Sequence, residues 1–225
     1  MKRILAAVAS LAFAASAGAL AAQEAAPAAE PAPRVFEPIN YDVSVDPENV
    51  LLLDLSNGQR VAIRLMPSWA PNHVERVKTL TRQGFYDGVI FHRVVEGFMA
   101  QTGDPTGTGR GGSQLPDLAQ EFNKMPHIRG TVSMARAAEE DSANSQFFIV
   151  FYPRMQLDRQ YTNFGRVISN MPAVDAITRG EPPANPTRIL QASLASDNKP
   201  QRMSAPVAPQ AGDITADMLS NSVSE

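Results

Sequence analysis

The chain has 225 residues, 44% of them apolar, a formal net charge of −3 and no cysteine. That is apolar material for one ordinary core and little more. Without thiols there is neither a disulfide framework nor a lipid attachment site on cysteine, and a mildly acidic chain without a basic run is a poor candidate for binding nucleic acid.

In chain order, Lys2 and Arg3 precede an Ala-rich apolar stretch from Ile4 to Leu20, and Ala19-Leu20-Ala21 offers small residues at a cleavage position. Residues 1–22 therefore read as a signal peptide, and the chain as exported, with the periplasm as the expected compartment. A retained membrane anchor is the weaker reading, because the stretch is dominated by alanine. Residues 23–39 are Ala/Pro-rich and read as an extended linker. A single domain is expected over 40–195, followed by a disordered tail over 196–225 that is interrupted by Pro200, Pro206 and Pro209.

Within the domain, the apolar runs Val50–Leu55 and Arg60–Leu65 flank Ser56-Asn57-Gly58-Gln59, which predicts a hairpin. After Pro71, Asn72 is placed to cap a helix and Glu75 to complete a capping box. Val74, Val77 and Leu80 give that helix its apolar face, and Gly84 its end. Strand-like runs follow at Val89–Val94, Gly130–Ala135, Gln146–Phe151, Phe164–Ile168 and Thr187–Ser193. A second short helix is expected from Pro172 through Thr178, closed by Gly180. Many short strands with two helices predict an antiparallel barrel or sandwich carrying capping helices, not alternating parallel units.

Most catalytic patterns are missing. His73, His92 and His127 show no metal-ligand spacing with one another, and no Gly-x-Ser-x-Gly elbow occurs. The Gly-rich segment 107–112 leads into Ser113-Gln114-Leu115-Pro116, not into a helix, which argues against a phosphate cradle. What remains is a lone cation, Arg93, upstream of the apolar pair Phe98-Met99 and of Gln101.

The run from Phe91 to Asp104, Phe-His-Arg-Val-Val-Glu-Gly-Phe-Met-Ala-Gln-Thr-Gly-Asp, resembles the signature of the cyclophilin-type peptidyl-prolyl cis–trans isomerases. Gly109-Arg110-Gly111-Gly112, Gly130 to Arg136, Ser145 to Ile149, Leu157-Asp158 and Asn163 to Val167 follow in that family's order and spacing, so the resemblance spans roughly residues 48–194. It implies a mainly β fold, a closed eight-stranded antiparallel β-barrel capped by two α-helices, and an isomerase acting on proline-containing chains without a cofactor or a metal. Nothing in the sequence asks for more than a monomer.

By the same resemblance, Arg93 stabilises the twisted amide, and Gln101 orients it and holds the substrate backbone. Phe98, Met99, Phe148 and Leu157 grip the proline ring. Gly109, Ala135, Arg136 and Gln146 line the groove, and Tyr161 replaces a pocket histidine. Taken singly, the apolar members would be ordinary core residues and Arg93 a surface cation; the ordered set assigns them to a site. His92 is expected to pack, and Asp104 and Asp158 to shape turns. Gln156 stands where many members have tryptophan, which implies weak inhibition by cyclosporin. The alternative function is a non-catalytic peptide-binding or chaperone module on the same fold; a third possibility is that the tail docks a partner.

Overall fold

The computed structural model describes residues 35–204. The expected signal peptide, most of the linker and the tail beyond Ser204 lie outside those residues. No described helix is long and apolar enough to cross a membrane.

Eight strands make one sheet: β1 (Val50–Leu55), β2 (Arg60–Leu65), β3 (Arg93–Val95), β4 (Met99–Thr102), β5 (Thr131–Met134), β6 (Phe147–Val150), β7 (Asn163–Ser169) and β8 (Ile189–Leu194). Their spatial order is β3-β4-β6-β5-β7-β2-β1-β8, and every pairing is antiparallel. The strand with no counterpart in the sequence reading is β4. Its Met-Ala-Gln-Thr run is short and poor in β-branched residues, so its pairing comes from its neighbours and not from propensity.

The expected closed barrel is corrected to an open, curled half-barrel. The edge strands β3 and β8 do not pair with each other. Irregular backbone bridges the seam instead: Gly88 N–H donates to Ile189 O (2.7 Å), Ile189 N–H to Val89 O (2.8 Å) and Phe91 N–H to Thr187 O (2.9 Å). The run expected as a strand over 89–94 is irregular from 89 to 92, where Ile90 makes only an isolated bridge to Arg188, so only three residues, Arg93–Val95, pair with β4.

The hairpin β1–β2 pairs Val50 with Arg64 through Asp54 with Arg60, as its sequence predicts. Helix α1 (Pro71–Arg82) ends in a Schellman arrangement. Gly84 N–H donates to Thr81 O (3.0 Å) and Phe85 N–H to Leu80 O (3.0 Å), with Gly84 at φ 70°.

The start of α1 differs from expectation. Ala70 occupies the N-cap without a side-chain bond, and Asn72 lies inside the first turn. Glu121, 49 residues further on, accepts the orphan N–H groups of Asn72 (3.3 Å) and His73 (3.1 Å). Glu75 pairs with Lys78 instead. A buried carboxylate next to the helix N-terminus satisfies both the open donors and the dipole. Helix α2 (Met171–Asp175) is shorter than predicted, because the Thr178 N–H turns aside to Thr187 Oγ1 (3.1 Å).

The concave face is the core. Leu51, Leu53, Val61 and Ile63 meet Val74, Val77 and Leu80 of α1 and Val174 of α2. Phe147 stands at its centre, edge-on to Tyr86 (5.6 Å) and Phe164 (6.2 Å).

Hydrogen bonds continue past both expected domain boundaries. Trp69 Nε1 donates to Glu37 O (3.0 Å), and Arg64 donates to the carbonyls of Asn40, Asp42 and Asp46. At the other end, Arg202 N–H donates to Asp54 Oδ2 (2.7 Å) and Ser204 Oγ to Ser56 O (2.9 Å), so the first nine residues of the expected tail run along the hairpin.

Candidate active site

Antiparallel pairing places directly opposed residues on one face of a sheet. Arg93 opposes Gln101, Gln101 opposes Phe148, and Phe148 opposes Ser133, so one row crosses β3, β4, β6 and β5 on the convex face. The next row brings Val95, Met99 and Val150 together. Phe98, Ala135, Leu157 and Tyr161 pack against these rows to form a second, smaller hydrophobic cluster.

The cluster floors a cavity of about 250 Å³ lined by Arg93, Phe98, Met99, Gln101, Ala135, Arg136, Phe148, Leu157 and Tyr161. Gln101, Ala135 and Arg136 also line an adjoining cavity of about 520 Å³, which Gly109 and Gln146 border on its other side. All eleven residues singled out in the sequence thus lie along one groove. Among the described residues, no group of three His, Cys, Asp or Glu side chains could hold a metal ion.

A hydrogen-bonded relay runs from the glycine-rich loop to the arginine. Gln146 Nε2 donates to Gly111 O (2.8 Å) and Gly109 O (3.1 Å), and Gln101 Nε2 donates to Gln146 Oε1 (2.9 Å). Gln101 Oε1 then faces Arg93 Nη1 at 3.5 Å, at the outer limit of a hydrogen bond. Arg93 Nε donates to Glu181 Oε2 at 2.8 Å.

The loop itself closes on Asp104, which accepts from Thr106 N–H (2.7 Å), Thr106 Oγ1 (2.7 Å) and Gly109 N–H (2.6 Å). Burial opposes ionisation of this carboxyl, but the bonds from Thr106, Gly111 and Gly109 outweigh it and hold the pKa down at about 2.

Arg136 is held by backbone carbonyls at two of its three guanidinium nitrogens. Its Nε donates to Gln160 O (3.1 Å) and its Nη1 to Ala137 O (3.1 Å) and Ala138 O (3.0 Å), while the guanidinium lies 5.0 Å over the Tyr161 ring. It therefore presents the groove with a fixed wall and few free donors. Tyr161 stands edge-on to Phe148 (5.6 Å).

His92 is buried behind Gly109, and neither of its ring nitrogens makes a hydrogen bond of good geometry. Burial pushes its pKa down, with Asp104 and Gln146 acting weakly the other way, so the ring is a neutral packing element.

Two residues near the site, His127 and Glu181, carry no local signal in the sequence. His127 lies under Phe148, its ring stacked at 6.4 Å and 21°. Its Nδ1 meets Asp158 Oδ1 (2.8 Å) and its Nε2 meets Ser133 Oγ (2.8 Å). The carboxylate assigns the proton to Nδ1, so the Ser133 hydroxyl donates to Nε2. Burial lowers the pKa of His127, and Asp158 opposes that only in part. Glu181 is the second. Histidine at 127 has no patterned neighbour, and Glu181 lies 88 positions from Arg93, so no local spacing announces either contact.

Residues 51–194 match the family model described as cyclophilin type peptidyl-prolyl cis-trans isomerase/CLD. A probable peptidyl-prolyl cis-trans isomerase of Brucella suis is 46% identical over 172 residues, covering 69% of this chain and 87% of that protein. Peptidyl-prolyl cis-trans isomerase B of Bacillus subtilis is 39% identical over 128 residues, covering 56% of this chain and 89% of that one. Among solved structures, a cyclophilin from Hirschia baltica superposes with a TM-score of 0.64 at 30% identity, over 69% of this chain and 77% of that chain. A Cryptosporidium parvum cyclophilin-type isomerase, crystallised in the presence of the dipeptide Ala-Pro, gives 0.60 at 27% identity, over 64% and 98%.

Proposed function

This chain belongs to the cyclophilin-type peptidyl-prolyl cis-trans isomerases, and from that premise we propose that it accelerates X-Pro rotation in unfolded or newly exported polypeptides, with Arg93 as the catalytic group. The observation that carries the mechanism is the position of Arg93: a half-exposed guanidinium at the rim of an apolar cavity, with Gln101 alongside.

The chemistry follows from the amide. Rotation must break C–N double-bond character, a barrier of roughly 18–20 kcal/mol. In the twisted state the nitrogen lone pair is no longer delocalised, so the nitrogen becomes a hydrogen-bond acceptor that the planar ground state lacks. A permanently charged donor facing that nitrogen favours the twisted state over both planar ones. No bond to the enzyme forms, and no proton has to move.

The apolar floor of Met99, Phe148 and Leu157, with Phe98 at the rim, holds the proline ring without polar partners. Gln101, fixed by Gln146, takes the adjacent substrate backbone. Proline-containing chains are the substrate class, as Ala-Pro suggests for the Cryptosporidium relative.

Arg93→Ala should lower kcat/KM by roughly 10²–10³-fold in a protease-coupled prolyl-peptide assay, for a loss of a few kcal/mol at the transition state. Full activity in that variant, or no acceleration by the wild-type protein, overturns the reading. Gln156→Trp should strengthen cyclosporin binding and leave peptide turnover within about twofold. Export rests on the Lys2-Arg3 and Ala-rich leader, and N-terminal sequencing of the protein recovered from the periplasm tests it.

A further inference from the structure

We infer that Glu181 is a positioning residue for the isomerase reaction: its carboxylate clamps the Nε edge of Arg93, so that the guanidinium plane is set before substrate arrives. This rests on the reading of Arg93 as the catalytic group.

A guanidinium carries five N–H donors in one rigid plane, and fixing two separated nitrogens fixes the orientation of that plane. Here Nε donates to Glu181 Oε2 at 2.8 Å, and Nη1 faces Gln101 Oε1 at 3.5 Å. Nη2 makes no hydrogen bond among the described residues, which leaves donors to face the groove. The Gln101 contact is too long to hold the plane by itself. The short, charge-assisted bond on the opposite edge supplies the missing constraint.

Glu181 is brought there by backbone geometry. Gly180 and Val94 exchange both backbone hydrogen bonds, Val94 N–H to Gly180 O at 2.8 Å and Gly180 N–H to Val94 O at 3.0 Å. In an antiparallel bridge, the residue after one partner lies beside the residue before the other, so this register sets Glu181 next to Arg93. The bridge requires glycine: φ at Gly180 is 140°, and an added Cβ would come within 2.6 Å of Pro183 Cα. Arg179, one position earlier, is tethered to the carbonyls of Asp175 and Ile177 and to Glu96 Oε2 (2.7 Å), and lies 4.4 Å over the Phe151 ring. The segment that delivers Glu181 is therefore pinned by the bridge and by Arg179 immediately before it.

An exposed ion pair contributes little to folding, since solvent and side-chain entropy offset most of its attraction. Its effect should appear in turnover and not in stability.

The test uses the full chain with substitutions at Glu181. Glu181→Ala should lower kcat/KM by roughly threefold to tenfold, with the loss in kcat and KM unchanged, because the constraint acts on a group that matters in the twisted state. Its thermal midpoint should match wild type. Glu181→Gln, which retains an acceptor oxygen, should recover at least about half of the wild-type kcat. Raising NaCl from about 0.05 to 1 M should shrink the wild-type advantage over Glu181→Ala, since salt screens an exposed pair.

Wild-type or faster turnover in Glu181→Ala, or a loss that comes with a lowered thermal midpoint, overturns the inference. So does a wild-type advantage that salt leaves unchanged. Arg93→Ala separates this from the parent reading: if Arg93→Ala is inactive and Glu181→Ala is not impaired, the catalytic arginine stands and only the clamp fails.

Discussion

Phe147 and Phe148 are neighbours on one strand, share a residue type and are both buried, at 0% and 5% exposure, yet they belong to different parts of the molecule. Strand alternation sends Phe147 into the concave core between Tyr86 and Phe164, and Phe148 to the convex face against Tyr161 and His127. The core cluster is large and made of buried hydrophobic side chains, with the Tyr86 hydroxyl satisfied by Ser145 O at 3.1 Å. The convex cluster is small, open to a groove, rimmed by Arg93 and backed by the Ser133–His127–Asp158 chain. The same strands thus carry the core on one face and the candidate site on the other.

Substitution should separate the two faces. Phe147→Ala should cost about 3–5 kcal/mol of unfolding free energy in urea, because its cavity has rigid walls on every side, with kcat/KM of the folded fraction reduced less than tenfold. Phe148→Ala should reverse the pattern: kcat/KM falls by about tenfold to a hundredfold, mainly through KM, and stability drops by about 2 kcal/mol, since the groove already borders that ring. Equal stability losses in the two variants would end the distinction.

A smaller effect is expected at Asp104, which anchors the loop bordering the groove. Asp104→Asn should cost about 1–3 kcal/mol by leaving buried donors poorly matched. Its carboxyl titrates at about 2 in the folded chain, against an ordinary value of 3.8. The folded pKa is depressed, so its stabilising contribution is complete above the ordinary value and is lost as pH falls toward about 2. Urea midpoints measured across that range should decline in the wild type more than in Asp104→Asn.

The smallest effect concerns His127. Its folded pKa lies below the ordinary 6.5 because of burial, so the unfolded chain takes up a proton first on acidification. Stability should be level well above pH 6.5 and fall as the pH drops below it. His92, also depressed by burial, adds to the same decline. His127→Asn should flatten part of this slope; an unchanged slope would remove His127 from the account.

The hairpin β1–β2 and the end of α1 were legible because their signals are local: Asn57-Gly58 between two apolar runs, and Gly84 after a period of three to four. The candidate site residues follow from the order and spacing of several motifs, and all eleven line the two adjoining cavities of one groove. The start of α1 is not legible locally: Asn72 and Glu75 imitate a capping box that Glu121, 49 residues from Asn72, makes unnecessary. β4 leaves no local signal, because Ala100 and Gln101 are weak strand formers held in register by partners on both sides. The closed barrel failed at the seam, where positive-φ Gly88 and a three-residue β3 end the ladder early.

The sequence by itself determined which segments are strands or helices wherever periodicity and turn residues agree, and it named Arg93 with its apolar companions, because motif order is written along the chain. Only the tertiary structure decided which neighbour of a Phe-Phe pair faces the groove, what lies under Phe148, and what holds the far edge of Arg93. Those contacts join Phe148 to His127 and Arg93 to Glu181 across loops and strand registers. Pairing through space leaves no periodic trace in sequence.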